Sequence, residues 1–133
     1  MSYRGIENLW GNAWQWCDGW NINDRNWYVT NDVSVLADDT TTGYTQLGQQ
    51  APTSSGYIRD VDHATLGDVV TDSSGSSSTA FADYYYQNTG WRAARVSGYA
   101  GSGASAGVSC GRLNYSSVRS GRHISARVAF TPS

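Results

Sequence analysis

The chain has 133 residues, with nine arginines, no lysine and eleven acidic residues, for a net charge of −2. That length suits a single domain able to bury a core without metal or disulfide staples. The near-neutral charge lacks the basic footprint of a nucleic-acid binder and any polybasic membrane signal, and no apolar run approaches the ~20 residues of a membrane span. Only 39% of residues are hydrophobic, but six Trp and nine Tyr compensate, because each aromatic buries more area than an aliphatic side chain. The opening MSYRGIENLW is polar and shows no signal-peptide pattern.

In chain order, residues 5–10 predict a turn or two of helix, closed by Gly11 and Asn12. Trp14 and Trp16 are two apart, the spacing of a strand with both indoles on one face. Together with Trp10 they are expected in the core. Residues 25–29 (RNWYV) read as a short strand, with Asn31 and Asp32 as a turn. Residues 45–52 are weakly patterned, and residues 54–58 open another strand. SSGSSS at 73–78 is a polar loop by composition. ADYYY at 82–86 fits either β-formers or a short aromatic helical turn. WRAARV at 91–96 predicts a strand, 97–105 an open Gly/Ser/Ala loop, and 108–113 and 124–130 the last two strands.

Conventional catalytic patterns are scarce. His63 and His123 have no metal-site spacing, and Asp60, Asp62 and His63 read as a solvated loop. Asn21, Asn23 and Asp24 offer close oxygen ligands, but without the Gly and distal Glu of an EF-hand loop, so turn capping is the better reading. No GxSxG elbow is present, and no Lys-Ser/Thr follows the GSG at 101–103 to make a phosphate loop. Cys17 reads as a small buried hydrophobe, Cys110 as exposed in its Ser/Gly-rich surroundings, and the sequence leaves open whether they pair. The forty-two residues after Trp91 contain no Lys, Glu, Gln, Met or Trp and are rich in Ser, Gly, Ala, Arg and Tyr. That is the mix of a binding surface: Tyr and Arg give contact area, Ser and Gly give adaptability.

Gly11-Asn12-Ala13-Trp14-Gln15-Trp16 resembles the GN-x-W-x-W signature of C-type-lectin-fold domains of the formylglycine-generating-enzyme type. With YRGIEN before it and DGWNI after it, the segment looks like the versions in phage tail and receptor-binding proteins. The other end is similar to variable proteins of diversity-generating retroelements: a small-residue loop, then a Ser/Asn-rich loop, then a final strand, here Ile124-Ser125-Ala126-Arg127-Val128. Ser109 stands where that pattern has an aromatic, and Gly111 where Trp is frequent. In that family a reverse transcriptase randomises template adenines, and a mutated Asn codon cannot encode Lys, Glu, Gln, Met or Trp, all of which are missing after Trp91.

The resemblance implies an α+β class, C-type lectin fold, β-rich with one or two short helices and long loops. It implies one ligand-binding domain over residues 1–133, with a variable-like segment at about 92–130. The implied ligand-binding positions are Tyr99, Ser102, Ser105, Cys110, Gly111, Arg112, Asn114, Tyr115, Arg119, Gly121, Arg122 and His123. No catalytic residue, metal or cofactor is implied. The implied partner is a protein or glycan on a cell surface, met from a virion tail tip or an extracellular surface, with a homotrimer as the assembly and no nucleic-acid or membrane role. Two alternatives stay open. A calcium-dependent carbohydrate-binding lectin needs a carboxylate/amide constellation, and no EPN or WND triplet is present. A degenerate formylglycine-generating-type enzyme needs a second cysteine near Cys110 for thiolate–copper chemistry. A purely structural virion subunit is a third reading.

Overall fold

The computed structural model describes residues 2–3, 6–7, 11–64, 67–78, 81, 83–105, 107 and 110–125. Their strands are β1 (Ser2–Tyr3), β2 (Ile6–Glu7), β3 (Trp14–Asn23), β4 (Asn26–Val29), β5 (Thr45–Gln50), β6 (Gly56–Tyr57), β7 (Asp60–Ala64), β8 (Gly67–Asp72), β9 (Tyr84–Gln87), β10 (Trp91–Val96), β11 (Gly111–Leu113) and β12 (Ile124–Ser125). The architecture is mostly β, a curled sheet. Helical content among the described residues is two 3-10 turns, Val33–Val35 and Ala100–Ser105, and no helix is long and apolar enough to cross a membrane. The main sheet runs β5-β4-β3-β10-β11-β9-β6, with β12 alongside β3. Neighbours are antiparallel except β11 with β9 and β12 with β3, which are parallel.

Local chemistry explains several of these elements. Trp91–Val96 is a strand as its alternation predicts. Asp24 and Arg25 join β3 to β4 with both φ values positive (44° and 76°), the mirror-image turn whose twist suits a tight hairpin. Asp24 gains a further anchor, because its Oδ1 accepts from the Gly90 N–H at 2.8 Å. The tyrosine run resolves as strand β9, not a helical turn.

Other expectations need correction. Ile6 and Glu7 pair with Ser2 and Tyr3 as strands, not as a helix. The stretch around Asp60 and His63 is not a loop: it forms a hairpin with Gly67–Asp72, where His63 faces Asp68 in register. Val69 and Val70 drive that pairing, because they drop into the core while the charged residues stay outside. Asn21 lies within β3, not in a capped turn. It is buried in β3, and its Nδ2 donates to Ala37 O and Thr40 O, which ties down the loop after β4. Trp10, Ser109 and residues 126–130 lie outside the described residues.

The principal core is apolar. Ile22, Trp27, Ile58, Val69, Tyr85, Ala94 and Leu113 pack together, with Cys17 and Trp20 against them. Trp20 meets Trp27 edge to face at 5.8 Å, a favoured aromatic geometry.

Trp14 and Trp16 belong to the other side of the sheet. Between Trp16 and Asn21, β3 advances five residues while its partner β10 advances two, from Arg95 to Ala93. An odd excess of residues in one strand reverses which face its side chains take. Gly19 makes the bulge: its φ is +81°, and a Cβ there would lie 2.5 Å from the Thr30 carbonyl oxygen. The Thr30 N–H donates to the Gly19 carbonyl at 2.9 Å, so only a residue without a side chain fits so close an approach. Trp20 and Ile22 therefore enter the apolar core, while Trp14 and Trp16 face the opposite way.

An arginine–aromatic face as candidate site

The register of the central strands builds a transverse row. Trp16 on β3 is opposite Arg95 on β10, Arg95 is opposite Arg112 on β11, and Arg112 is opposite Tyr86 on β9. Cross-strand partners share a face, so these four side chains line up on the side away from the apolar core. Trp14 joins them from the start of β3.

Arginine guanidiniums lie over the rings throughout. Arg95 Cζ is 4.2 Å from the Tyr115 ring centroid, 5.2 Å from Trp16 and 5.6 Å from Trp14. Arg112 Cζ is 3.9 Å from Tyr86 and 4.7 Å from Trp14. Arg119, which is exposed, lies 4.9 Å from Tyr115. Such contacts are attractive because the ring face carries negative quadrupole density, and desolvation strengthens them. Trp14 and Arg95 are both 0% exposed, whereas Trp16 is half-buried rather than buried as expected.

Arg95 is an unusual core residue. Its Nη2 donates to Asn114 Oδ1 at 3.0 Å, while its Nε and Nη1 are buried without a hydrogen-bond partner. Burial, reinforced by the Arg112 charge, pushes it down to about 10. Among the described residues neither ion pair, Arg59–Asp72 or His63–Asp68, includes it.

The loops reach this face through main-chain hydrogen bonds. Trp14 N donates to His123 O at 2.9 Å, Ala93 N to Tyr115 O at 3.4 Å, and Ala100 N to Asn12 O at 3.2 Å. Tyr99 lies 5.2 Å from the His123 ring and 6.5 Å from Trp14. Gly101 permits the Tyr99 position, since a Cβ there would come within 2.7 Å of the tyrosine ring. Beyond Arg112 the face continues as tyrosines: Tyr84 is 4.6 Å from Tyr86 and 5.0 Å from Tyr57.

The positions implied by the resemblance separate into groups. Tyr99, Arg112, Asn114, Tyr115, Arg119 and His123 come together in this cluster. Gly121 and Arg122 are exposed in the turn before β12, and Ser105 is half-buried at the end of its 3-10 turn. Ser102 serves its own turn: its N–H donates to Tyr99 O and its Oγ accepts from Tyr99 N. Two positions need correction. Cys110 is not exposed: it is fully buried, and its Sγ donates to Tyr84 O at 3.2 Å. It is unbonded, as is Cys17. Gly111 sits on the opposite face from Arg112, in register with buried Tyr85. Sequence reasoning did not single out Arg95, and it placed Trp14 and Trp16 in the core alone. A compositional signal pointed this way: the residues after Trp91 hold six arginines and no Asp or Glu.

Among the described residues no group of three His, Cys, Asp or Glu side chains converges as a metal-ion site. No protein-family model matches the chain, and neither does any curated protein or solved structure.

Proposed function

We propose that this chain is a non-enzymatic ligand-binding display module with a C-type lectin fold of the formylglycine-generating-enzyme type. On this reading it is a retroelement-diversified variable protein or the receptor-binding domain of a phage tail tip. Its partner is a protein or glycan on a cell surface, and its setting is a virion, where a homotrimer is the assembly, or an extracellular surface.

One observation carries the reading. Main-chain hydrogen bonds hold the Tyr99 loop to Asn12 just before β3, the Tyr115 loop to β10 and the His123 turn to β3. Bonds between backbone groups do not depend on side-chain identity. The apolar core lies on the other face of the same strands. Side chains carried by these loops can therefore change while the backbone beneath them keeps its course. Surface substitutions of that kind cost little, usually within ~0.5 kcal/mol.

The test is sequencing of many natural copies of this gene. Substitutions are expected to concentrate at adenine-rich codons between residues 99 and 123, with a reverse-transcriptase gene and a near-identical template repeat nearby. In parallel, a library randomised at Tyr99, Asn114, Arg119 and His123 is expected to keep its thermal midpoint within a few degrees in most members. Copies invariant across 99–123, together with a library that mostly unfolds, would remove the display reading.

A further inference from the structure

Charge is divided along this chain. The forty-two residues after Trp91 carry six arginines and no acid, whereas the first ninety-one carry three arginines and eleven acids. The pairing of β10 with β11 then places two of those six arginines opposite one another. Like charges on opposed residues repel. Neither ion pair among the described residues, Arg59–Asp72 or His63–Asp68, includes them. Arg95 keeps two buried nitrogens without a partner, and Arg112 keeps its Nε so. Buried charges are ordinarily paired. Here the rings of Trp14, Trp16, Tyr86 and Tyr115 cover the guanidiniums, and rings supply no formal negative charge.

The geometry of the missing counter-charge follows. An arginine packed over a ring still presents its in-plane N–H edge, which fits two oxygens of a carboxylate or sulfate side by side. Arg112 is half-exposed, so solvent reaches it, while Arg95 behind it is sealed and adds its field. Next to Arg112 along the row, Tyr86, Tyr84 and Tyr57 are all half-exposed and touch one another. The three contiguous phenol rings are inclined to one another, 46° between Tyr84 and Tyr86 and 77° between Tyr84 and Tyr57, and make a stepped apolar surface with hydroxyls at its edges, suited to the C–H face and hydroxyl rim of a sugar.

We infer that this row recognises an acidic saccharide, whose carboxylate or sulfate is held by the Arg112 guanidinium and whose ring packs against Tyr84 and the edge of Tyr86, the Tyr86 face being taken by Arg112. The inference rests on the reading of this face as a ligand-binding surface and names the ligand's chemical class.

The experiment uses the whole chain. Sialyllactose and a heparin hexasaccharide are titrated by calorimetry against their neutral counterparts, lactose and maltohexaose, with poly-glutamate as an acidic peptide. At least one acidic saccharide is expected to bind at least tenfold more tightly than its neutral counterpart and to weaken as salt rises. Binding of sialyllactose shows that a carboxylate suffices, whereas binding of the sulfated arm alone shows that the single carboxylate of sialyllactose does not. Arg112→Gln is expected to lower that affinity at least tenfold, and Arg112→Lys to restore only part, because an ammonium lacks the planar fork. In the unmutated protein the Arg112 Nε–Hε resonance is expected to shift during the titration, which decides the matter even if the variants do not fold. Equal binding of the neutral sugar, tighter binding of poly-glutamate, no binding by either acidic arm, or an Arg112 resonance that stays still overturns the inference. Its failure is separable from failure of the display reading. Natural copies varying across 99–123 with no acidic-sugar binding would remove this inference alone, whereas Arg112-dependent binding in an invariant gene would remove diversification alone.

Discussion

The two faces of the central strands are built from alternate residues of the same segments, yet they are held by different forces. On one face Ile22, Trp27, Tyr85, Ala94 and Leu113 exclude water and make an apolar core. On the other, Trp14, Trp16, Arg95, Arg112, Tyr86 and Tyr115 interleave rings with cations. Apolar burial is non-directional and asks only for volume and shape. The arginine–aromatic face is directional and leaves N–H groups unspent. A face of the first kind stabilises a fold. A face of the second kind can stabilise it in part and still have bonding capacity left for something else.

Removing the large indoles from each face should have the greatest effect. Trp27→Ala is expected to cost about 3–5 kcal/mol, the usual range for a buried large aromatic. Trp14→Ala, at a residue equally sealed from solvent, is expected to fall in the same range and also to loosen Arg95 and Arg112. Urea denaturation measures both. A loss below about 1 kcal/mol for Trp14→Ala alone would show that the second face contributes nothing to the fold.

Alkaline pH should separate the faces by sign. Burial pushes the Cys17 thiol, which packs against the apolar core, up to about 11, and the Cys110 thiol likewise. The Tyr85 hydroxyl is raised for the same reason. An unfolded thiol ionises near pH 9, so this stability is complete below that pH and is lost as pH rises toward 11. For Cys110, fully buried, the loss is about 2–3 kcal/mol. Arg95 acts oppositely: its folded value is lowered to about 10 from 12.5, so its contribution grows as pH rises through that interval. Urea denaturation from pH 8 to 10.5 should show stability falling above pH 9. The fall should be shallower in Cys110→Ala and slightly steeper above pH 10 in Arg95→Met. A pH-independent wild type would contradict the assignment of buried thiols.

The smallest effect is expected from Arg95→Met at neutral pH. Removing a core arginine normally destabilises strongly, but this one has no acidic partner among the described residues to strand, and a linear apolar side chain fills its space. Lost ring contacts and relieved desolvation should nearly cancel, leaving stability within about 1 kcal/mol of wild type. A loss above about 3 kcal/mol in denaturation would show that the guanidinium is essential to the packing of this face.

Much of the fold was legible in local sequence. Trp91–Val96 alternates and is a strand; residues 26–29 form the strand expected within 25–29. The Tyr/Arg/Ser/Gly composition after Trp91 marked the segment that now supplies most of the arginine–aromatic face. The rest was hidden for stated reasons. Asp60–Ala64 looks like solvated loop because its charges face outward, and only pairing with Gly67–Asp72 makes it a strand. Cys110 looked exposed amid small residues, but a small residue is also what a tightly packed strand start requires.

The sequence by itself determined that Trp91–Val96 and residues 26–29 are strands, where the aromatics lie along the chain, and that the last third holds arginine without acid. Those are properties of neighbours in the chain, set by side-chain period and composition. Which face each aromatic takes was decided by tertiary structure. A period-2 count puts Trp14, Trp16, Trp20 and Ile22 together; the bulge at Gly19, needed to match β3 to β10, sends the first pair to the arginines and the second to the core. The meeting of Arg95 with Arg112 was likewise decided by strand pairing. A long-range register is selected by the combined burial of many side chains, and no window of neighbouring residues encodes it.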